Sequence, residues 1–145
     1  MAYHYSIVEY SKENNARAFS LLPISLKTSV EICNFIRNKK VPKAKKLLED
    51  VVAMKIAVPY KRYVHDIPHR RGHIGPGRFP IKASDYILKL LSSVEANAQS
   101  KGLNTANLII KHISAKRGGT SWHYGRKRSR KMKRCYIEIV LSEAK

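Results

Sequence analysis

Three stretches of the chain place apolar residues at the spacing of one helical face. They are residues 25–40, a stretch that begins near Pro42, and residues 81–100. Ser25 is a residue type that caps helices, Pro42 suits a first turn, and Gly102 is placed to end the last stretch. The pattern predicts three α-helices, and the first two are joined so closely that we expect them to pack as neighbours.

Two later stretches alternate apolar and polar residues, as half-buried strands do. The first is NLIIKHISA, residues 107–115, and the second is CYIEIVLSE, residues 135–143. In the second stretch, apolar residues at 137, 139 and 141 alternate with Tyr, Glu and Ser. We expect an antiparallel pair of strands, with the second strand buried on one face only.

The residues between these strands, 116–134, are termed the arm. Folded back on itself, the arm would reach about 30 Å at 3.3 Å per residue. Residues 126–134 contain seven Lys or Arg, and Trp122, His123 and Tyr124 precede them. Sites for unpaired RNA combine cations with aromatic rings that stack on bases, so this composition favours RNA contact. A nuclear-localisation signal has a similar composition, but it requires no strands on either side.

The segment from 58 to 80 contains four Pro and three Gly, too many for a regular element, and is predicted to be a long ordered loop. Its Arg and His content indicates a binding role. The expected fold class is therefore α+β, with three helices packed on a small antiparallel sheet and a long protruding basic β-hairpin. We expect a single domain over residues 1–145, with its body at 16–115 and 135–143.

The charge of the chain calls for an anionic partner. Lys and Arg number 29 against 10 Asp and Glu, which gives a net charge of +19. Two long blocks, residues 96–137 and 67–84, contain no acidic residue. Repulsion on this scale destabilises a compact fold unless a polyanion neutralises it, and nucleic acid is the commonest such partner.

Other functions find little support in the sequence. His65, His69 and His73 have a spacing that aligns metal ligands on a helix, but Pro and Gly between them argue against a helix, so no metal is expected. Cys33 and Cys135 have neither zinc-site nor disulfide-framework spacing. No nucleophile–base or carboxylate pair emerges, which predicts no enzyme and no cofactor. No apolar run spans a membrane and no signal peptide is evident, so we expect a soluble cytoplasmic protein without membrane contact.

The order of these elements and several motifs resemble the universal large-subunit ribosomal protein family number twenty-two, number seventeen in eukaryotic naming. The motifs are SLKTSVEICNFIRNKKVPKAKKLLEDV, GRFPIKASDYILKLLSSVEANAQSKGL, NLIIKHI and GRKRSRKMKRCYIEIVLSE. The long 58–80 segment is similar to the archaeal and eukaryotic branch. Asn38 stands where members usually carry Gly, the arm is shorter than in typical eukaryotic members, and Trp122–His123 replaces an Arg-Ala-like pair.

The resemblance implies a body seated on large-subunit rRNA near the mouth of the polypeptide exit tunnel of the cytosolic ribosome. It also implies an arm that lines the tunnel, neighbouring ribosomal proteins as partners, and contact of the nascent polypeptide with the tip at Trp122, His123 and Tyr124. By matching position, the implied rRNA-binding residues are Arg37, Lys39, Lys40, Arg70, Arg71, Arg78, Lys116, Arg117, Arg126, Lys127, Arg128, Arg130, Lys131, Lys133 and Arg134.

The alternative is a free-standing nucleic-acid architectural protein or RNA chaperone, which would leave its partner in moderate salt. A nuclease is a more distant alternative, and metal-dependent RNA cleavage by the purified protein would support it.

Overall fold

The computed structural model describes residues 5–6 and 14–143 and shows an α+β fold, as predicted. The strands and helices are, in chain order, β1 (Asn15–Leu22), α1 (Leu26–Ile36), α2 (Val41–Val52), β2 (Val58–Pro59), β3 (His69–Arg70), β4 (Gly75–Arg78), α3 (Ile81–Ser100), β5 (Leu108–Arg117) and β6 (Cys135–Glu143). Short 3₁₀ turns lie at Thr105–Asn107 and Gly125–Lys127.

The three predicted helices are confirmed, and their ends follow from local chemistry. Asn38 ends α1 in the left-handed region at φ 60°, which Asn tolerates, and Gly102 follows α3 at φ 72°. Ser25 occupies the N-cap of α1 without a capping bond from its side chain; instead, Ser29 Oγ donates to the Ser25 carbonyl at 2.8 Å. The apolar spacing of the second stretch extends to Met54 and predicts that this residue is buried; that prediction is wrong, because α2 ends at Val52 and Met54 is 62% exposed.

The main sheet has the order β1–β6–β5, and both pairings are antiparallel. Strand β1 is absent from the sequence-based expectation, and its presence corrects the prediction for β6. β6 is nevertheless covered on both of its faces, since Glu138 and Val140 are as inaccessible as Ile139. The prediction that this strand is buried on one face only is therefore wrong.

A β-bulge at Lys111 sets which residues of β5 face the core. Ile110 pairs with Leu141 and His112 pairs with Val140, so Lys111 is the extra residue. After the bulge, Ile113 faces the helices and joins the core, while His112 and the alternate residues beyond it point to the other face.

Glu138 gathers the polar side chains of that other face. The carboxylate is fully buried and accepts from Ser114 Oγ at 2.6 Å and from Lys116 Nζ at 3.0 Å. His112 Nε2 lies 2.9 Å from the same carboxylate, and the hydroxyl of Ser6 donates to it. Buried carboxylates persist when they are paired and hydrogen-bonded, so this cluster stabilises the end of β5 from which the arm leaves.

The segment from 58 to 80 is more regular than predicted. It contains a small antiparallel sheet of order β2–β4–β3, in which Val58 pairs with Arg78 and His69 pairs with Pro76. The expectation of a loop without regular elements is therefore wrong. Gly75, at φ 69°, opens β4 with a backbone conformation that side chains disfavour.

Residues 118–134 form a loop closed by separate backbone hydrogen bonds. The strands end at Arg117 and Cys135, after which Gly118 N donates to Arg134 O at 3.1 Å. Two further bonds, Met132 N to Ser121 O and His123 N to Arg130 O, both of 2.8 Å, bring the two sides together. The chain reverses around the 3₁₀ turn at Gly125–Lys127, so the glycines at 118 and 119 lie at the base of the arm and not near its turn.

We expect Lys116→Met to lower the free energy of unfolding by roughly 1–3 kcal/mol, because it removes a charged donor from a buried carboxylate. Urea denaturation of the purified protein measures this change. Lys111→Met is the matched control, since Lys111 is exposed on the same strand and its loss should change stability by about 0.5 kcal/mol or less. Equal effects of the two substitutions would show that the Lys116–Glu138 pair contributes nothing to the fold.

Candidate nucleic-acid interface

The cations predicted to bind rRNA form three groups, and most of their side chains are exposed. The groups are the link between α1 and α2, the loop that contains β2–β4, and the arm. Only Lys39 and Lys116 of the predicted set are half-buried. Their exposure is compatible with an anionic partner. Which of these cations contact rRNA stays a prediction.

The tip of the arm presents aromatic rings to solvent. Trp122 is 59% exposed and Tyr124 is 87% exposed, while His123 is half-buried. Trp122 and Lys131 face each other in a β-bridge, and Lys131 Nζ lies 4.4 Å from the centroid of the indole ring. Such a cation–π contact holds the ring beside a positive charge, which suits both base stacking and phosphate contact.

The loop cations are held by contacts with their own loop. Arg70 Nε donates to Gly77 O at 3.0 Å, and its guanidinium lies 5.2 Å from the centroid of the Phe79 ring. Gly77 permits this approach, since a Cβ there would lie 3.2 Å from Arg70 Cγ. Arg78 donates to the Asp66 carbonyl at 3.3 Å. The guanidinium groups of Arg70 and Arg78 are therefore oriented before any partner arrives.

Glu31 is the residue that sequence reasoning missed. This glutamate on α1 is 1% exposed, and its carboxylate accepts the backbone N–H groups of Lys61, Arg62 and Tyr63 at 3.1, 2.8 and 2.8 Å. A buried carboxylate needs such donors, and three successive amides supply them. Glu31 thereby positions the start of the basic loop against α1. The sequence feature that could have identified a buried carboxylate is that Glu31 is the only acidic residue of α1 and stands between two apolar residues, Val30 and Ile32.

The aromatic ring beside this contact also carries cations. Lys27 Nζ and the Arg62 guanidinium lie 5.8 and 5.7 Å from the centroid of the Tyr63 ring. Neither cation is in the set predicted from the resemblance. The basic surface of the body is thus wider than the sequence indicated.

The link cations contact β5 at different distances from the arm. Arg37 donates to Ile113 O at 3.2 Å, and Lys40 forms a bridge with Ile109 near the start of β5. Ile109 lies seven residues before Lys116, where the arm begins, which corresponds to about 23 Å along a strand, whereas Ile113 lies three residues before it. By contrast, Arg78 of the loop and Lys133 of the arm line the same cleft. The fold therefore joins the loop to the arm, whereas Lys40 of the link lies near the opposite end of β5.

The cysteines are not reactive groups. Both are buried, and neither forms a disulfide. Burial raises the pKa of Cys33 to about 12 and also raises the pKa of Cys135, so both thiols are protonated at neutral pH. Within residues 5–6 and 14–143, the side chains form no cluster of three or more metal-ligating groups. Within the same ranges, no helix is both long and apolar enough to cross a membrane.

Comparison with known proteins gives a consistent result over nearly the whole chain. Residues 18–142 match the family model described as ribosomal protein L22p/L17e. The large ribosomal subunit protein uL22 of Thermoplasma volcanium is 45% identical over 137 residues, which cover 90% of this chain and 92% of the relative. The protein of the same name from Archaeoglobus fulgidus is 48% identical over 118 residues, 80% of this chain and 76% of the relative. That of Staphylothermus marinus is 40% identical and covers 97% of each chain.

Glu31→Ala is expected to accelerate amide hydrogen exchange at residues 61–63, because their N–H groups lose a buried acceptor. The free energy of unfolding should fall by roughly 1–3 kcal/mol. Glu49→Ala is the matched control, since Glu49 is exposed on α2. Unchanged exchange at residues 61–63 in Glu31→Ala would contradict the positioning role of this carboxylate.

Proposed function

The chain belongs to the ribosomal protein L22p/L17e family, which makes it a structural constituent of the large ribosomal subunit, and we propose that its arm and loop bind the rRNA of that subunit. The family resemblance noted in the sequence is confirmed, and the three relatives named above are archaeal, which agrees with the similarity of the long 58–80 segment to the archaeal and eukaryotic branch. The family is structural, so the expectation that the protein is not an enzyme also holds.

The observation that carries the rRNA proposal is the unbalanced charge of residues 126–134. All seven of their Lys and Arg side chains are exposed. Within the described part of the chain, none of the seven forms an ion pair with an acidic side chain. A surface this charged is stabilised by phosphates, because each neutralised phosphate releases condensed counterions. We assign the remaining predicted cations of the loop and the link to contacts of the body with rRNA.

We further propose a division of the molecule into a body, residues 16–115 and 135–143, and an arm that enters the wall of the polypeptide exit tunnel. Trp122 and Tyr124 would then present exposed rings to rRNA bases or to the nascent chain. The paired ends of β5 and β6 support this division, since they hold both ends of the arm against the body. The location that follows is the cytosolic ribosome, with neighbouring large-subunit proteins as further partners.

Changing all seven cations of residues 126–134 to Gln is expected to block incorporation into large subunits. Seven phosphate contacts give a log–log salt slope of roughly −5 to −6, a contribution that the body cannot replace. Binding of the purified variant to large-subunit rRNA at increasing salt, together with gradient sedimentation, measures both effects.

The matched control neutralises Lys43, Lys46 and Lys55, which are exposed in and just after α2. Its salt slope should stay within about one contact of the wild-type value. If the seven-fold variant assembled normally and kept the wild-type slope, the arm would not be the phosphate-binding element.

Replacing Trp122 and Tyr124 by Ala should leave assembly intact, because a few stacking contacts are small beside seven charges. Passage of some nascent chains through the tunnel should change, and ribosome profiling would report this as altered pausing. Met54→Ala, at an exposed apolar residue after α2, is the control. Identical profiles for the tip variant and the control would exclude the tip from the tunnel wall.

A further inference from the structure

A cleft of about 500 Å³ opens where three parts of the molecule meet. One side is the start of α1, the opposite side is the start of α3, and the third is Lys133 of the arm. The volume falls within the range of about 300–1,000 Å³ that small-molecule sites occupy. Two of the cations predicted from the resemblance, Arg78 and Lys133, line the cleft, although the sequence predicted no cavity there.

The interior of the cleft is mostly apolar. Ile24 and Tyr60, which are 3% and 6% exposed, contribute to its walls together with Phe79 and Pro80. Arg70 packs over the Phe79 ring and restrains its orientation. Ser25 and Thr28 add hydroxyl groups on the α1 side. An apolar space with a ring and a few hydrogen-bonding groups suits a flat, partly polar ligand.

Three cations surround this apolar space. Arg78, Lys82 and Lys133 all line the cleft, and none of its lining residues among 5–6 and 14–143 is acidic. An adjoining cavity that shares Ser25 and Lys133 continues along the arm to Arg117 and Arg134. The cleft therefore opens onto the same cationic surface that the proposed function assigns to rRNA.

We propose that the cleft receives one extruded base of large-subunit rRNA, with the flanking phosphates on Arg78, Lys82 and Lys133. The proposal rests on the proposed function and names how rRNA is held at this place. An unstacked base presents two apolar faces and a polar edge, and proteins that read single-stranded or bulged RNA place such bases in pockets or on aromatic rings. The phosphates on either side of the base match a rim that is cationic at three positions. A peptide occupant would match the apolar walls but would give no reason for the cations.

The first experiment identifies the occupant in the assembled subunit. A photoreactive amino acid replaces Ile81, which is 41% exposed at the edge of the cleft, and the crosslink is mapped in purified large subunits. The expected product is a crosslink to one rRNA nucleotide. A crosslink to another protein alone, or to no single nucleotide, would overturn the proposal.

The second experiment measures the contribution of the base itself. The crosslinked rRNA segment is synthesised with that nucleotide intact or abasic, and the affinity of the wild-type protein for each is compared. The intact RNA should bind about 5- to 150-fold more tightly, the range expected for one base–aromatic stack. Equal affinity for the two RNAs would overturn the proposal, whatever the behaviour of any variant.

A variant whose side chain fills the cleft checks the placement of the base independently. Thr28→Trp should remove the preference for the intact base and keep the salt slope, whereas Asn34→Trp, at an exposed position on α1, should behave as wild type. Retained preference in Thr28→Trp would contradict the placement of the base. If the wild-type protein bound neither RNA with a salt-dependent affinity, the proposed function itself would fail together with this site.

Discussion

The central position of β6 is the constraint on which the rest of the structure depends. β6 pairs with β1 along one edge and with β5 along the other, and its side chains from Ile137 to Leu141 are buried on both faces of the sheet. The register that aligns Arg117 with Cys135 brings both ends of the arm to one edge of the body. A basic segment that would repel itself as a free tail is thereby held at both ends by a buried sheet.

Two buried acids organise a protein that is otherwise strongly basic. Glu138 holds Lys116 at the base of the arm, and Glu31 holds the backbone at residues 61–63, where the basic loop begins. Both carboxylates are inaccessible and serve internal contacts, so they neutralise little of the outer surface. Buried acidic side chains thus position the arm and the basic loop, while the outer surface keeps the positive charge that an anionic partner would bind.

The sequence predicted what depends on local pattern and missed what depends on distant partners. Helical spacing, Asn38 and Gly102 set the helices, and alternation identified β5 and β6. The burial of Glu138 was not predictable in this way. It involves β1 and Ser6, which lie more than 100 residues before Glu138 in the chain. The small sheet in the 58–80 segment was missed because its strands are only two to four residues long and its Pro and Gly content is typical of loops.

Among the site residues, exposure of the predicted cations follows from their charge. The convergence of Arg78 and Lys133 on one cleft is a tertiary feature that no local pattern shows.

We propose that the arm, the loop and the link, and not the exposed face of α2, hold the protein on rRNA. Ultraviolet crosslinking of purified large subunits, followed by mass spectrometry of the crosslinked peptides, tests this claim most directly. The account predicts crosslinks concentrated in the arm, in residues 61–82 and in the link at residues 37–40. Crosslinks concentrated on the exposed face of α2, with none in the arm, would contradict it.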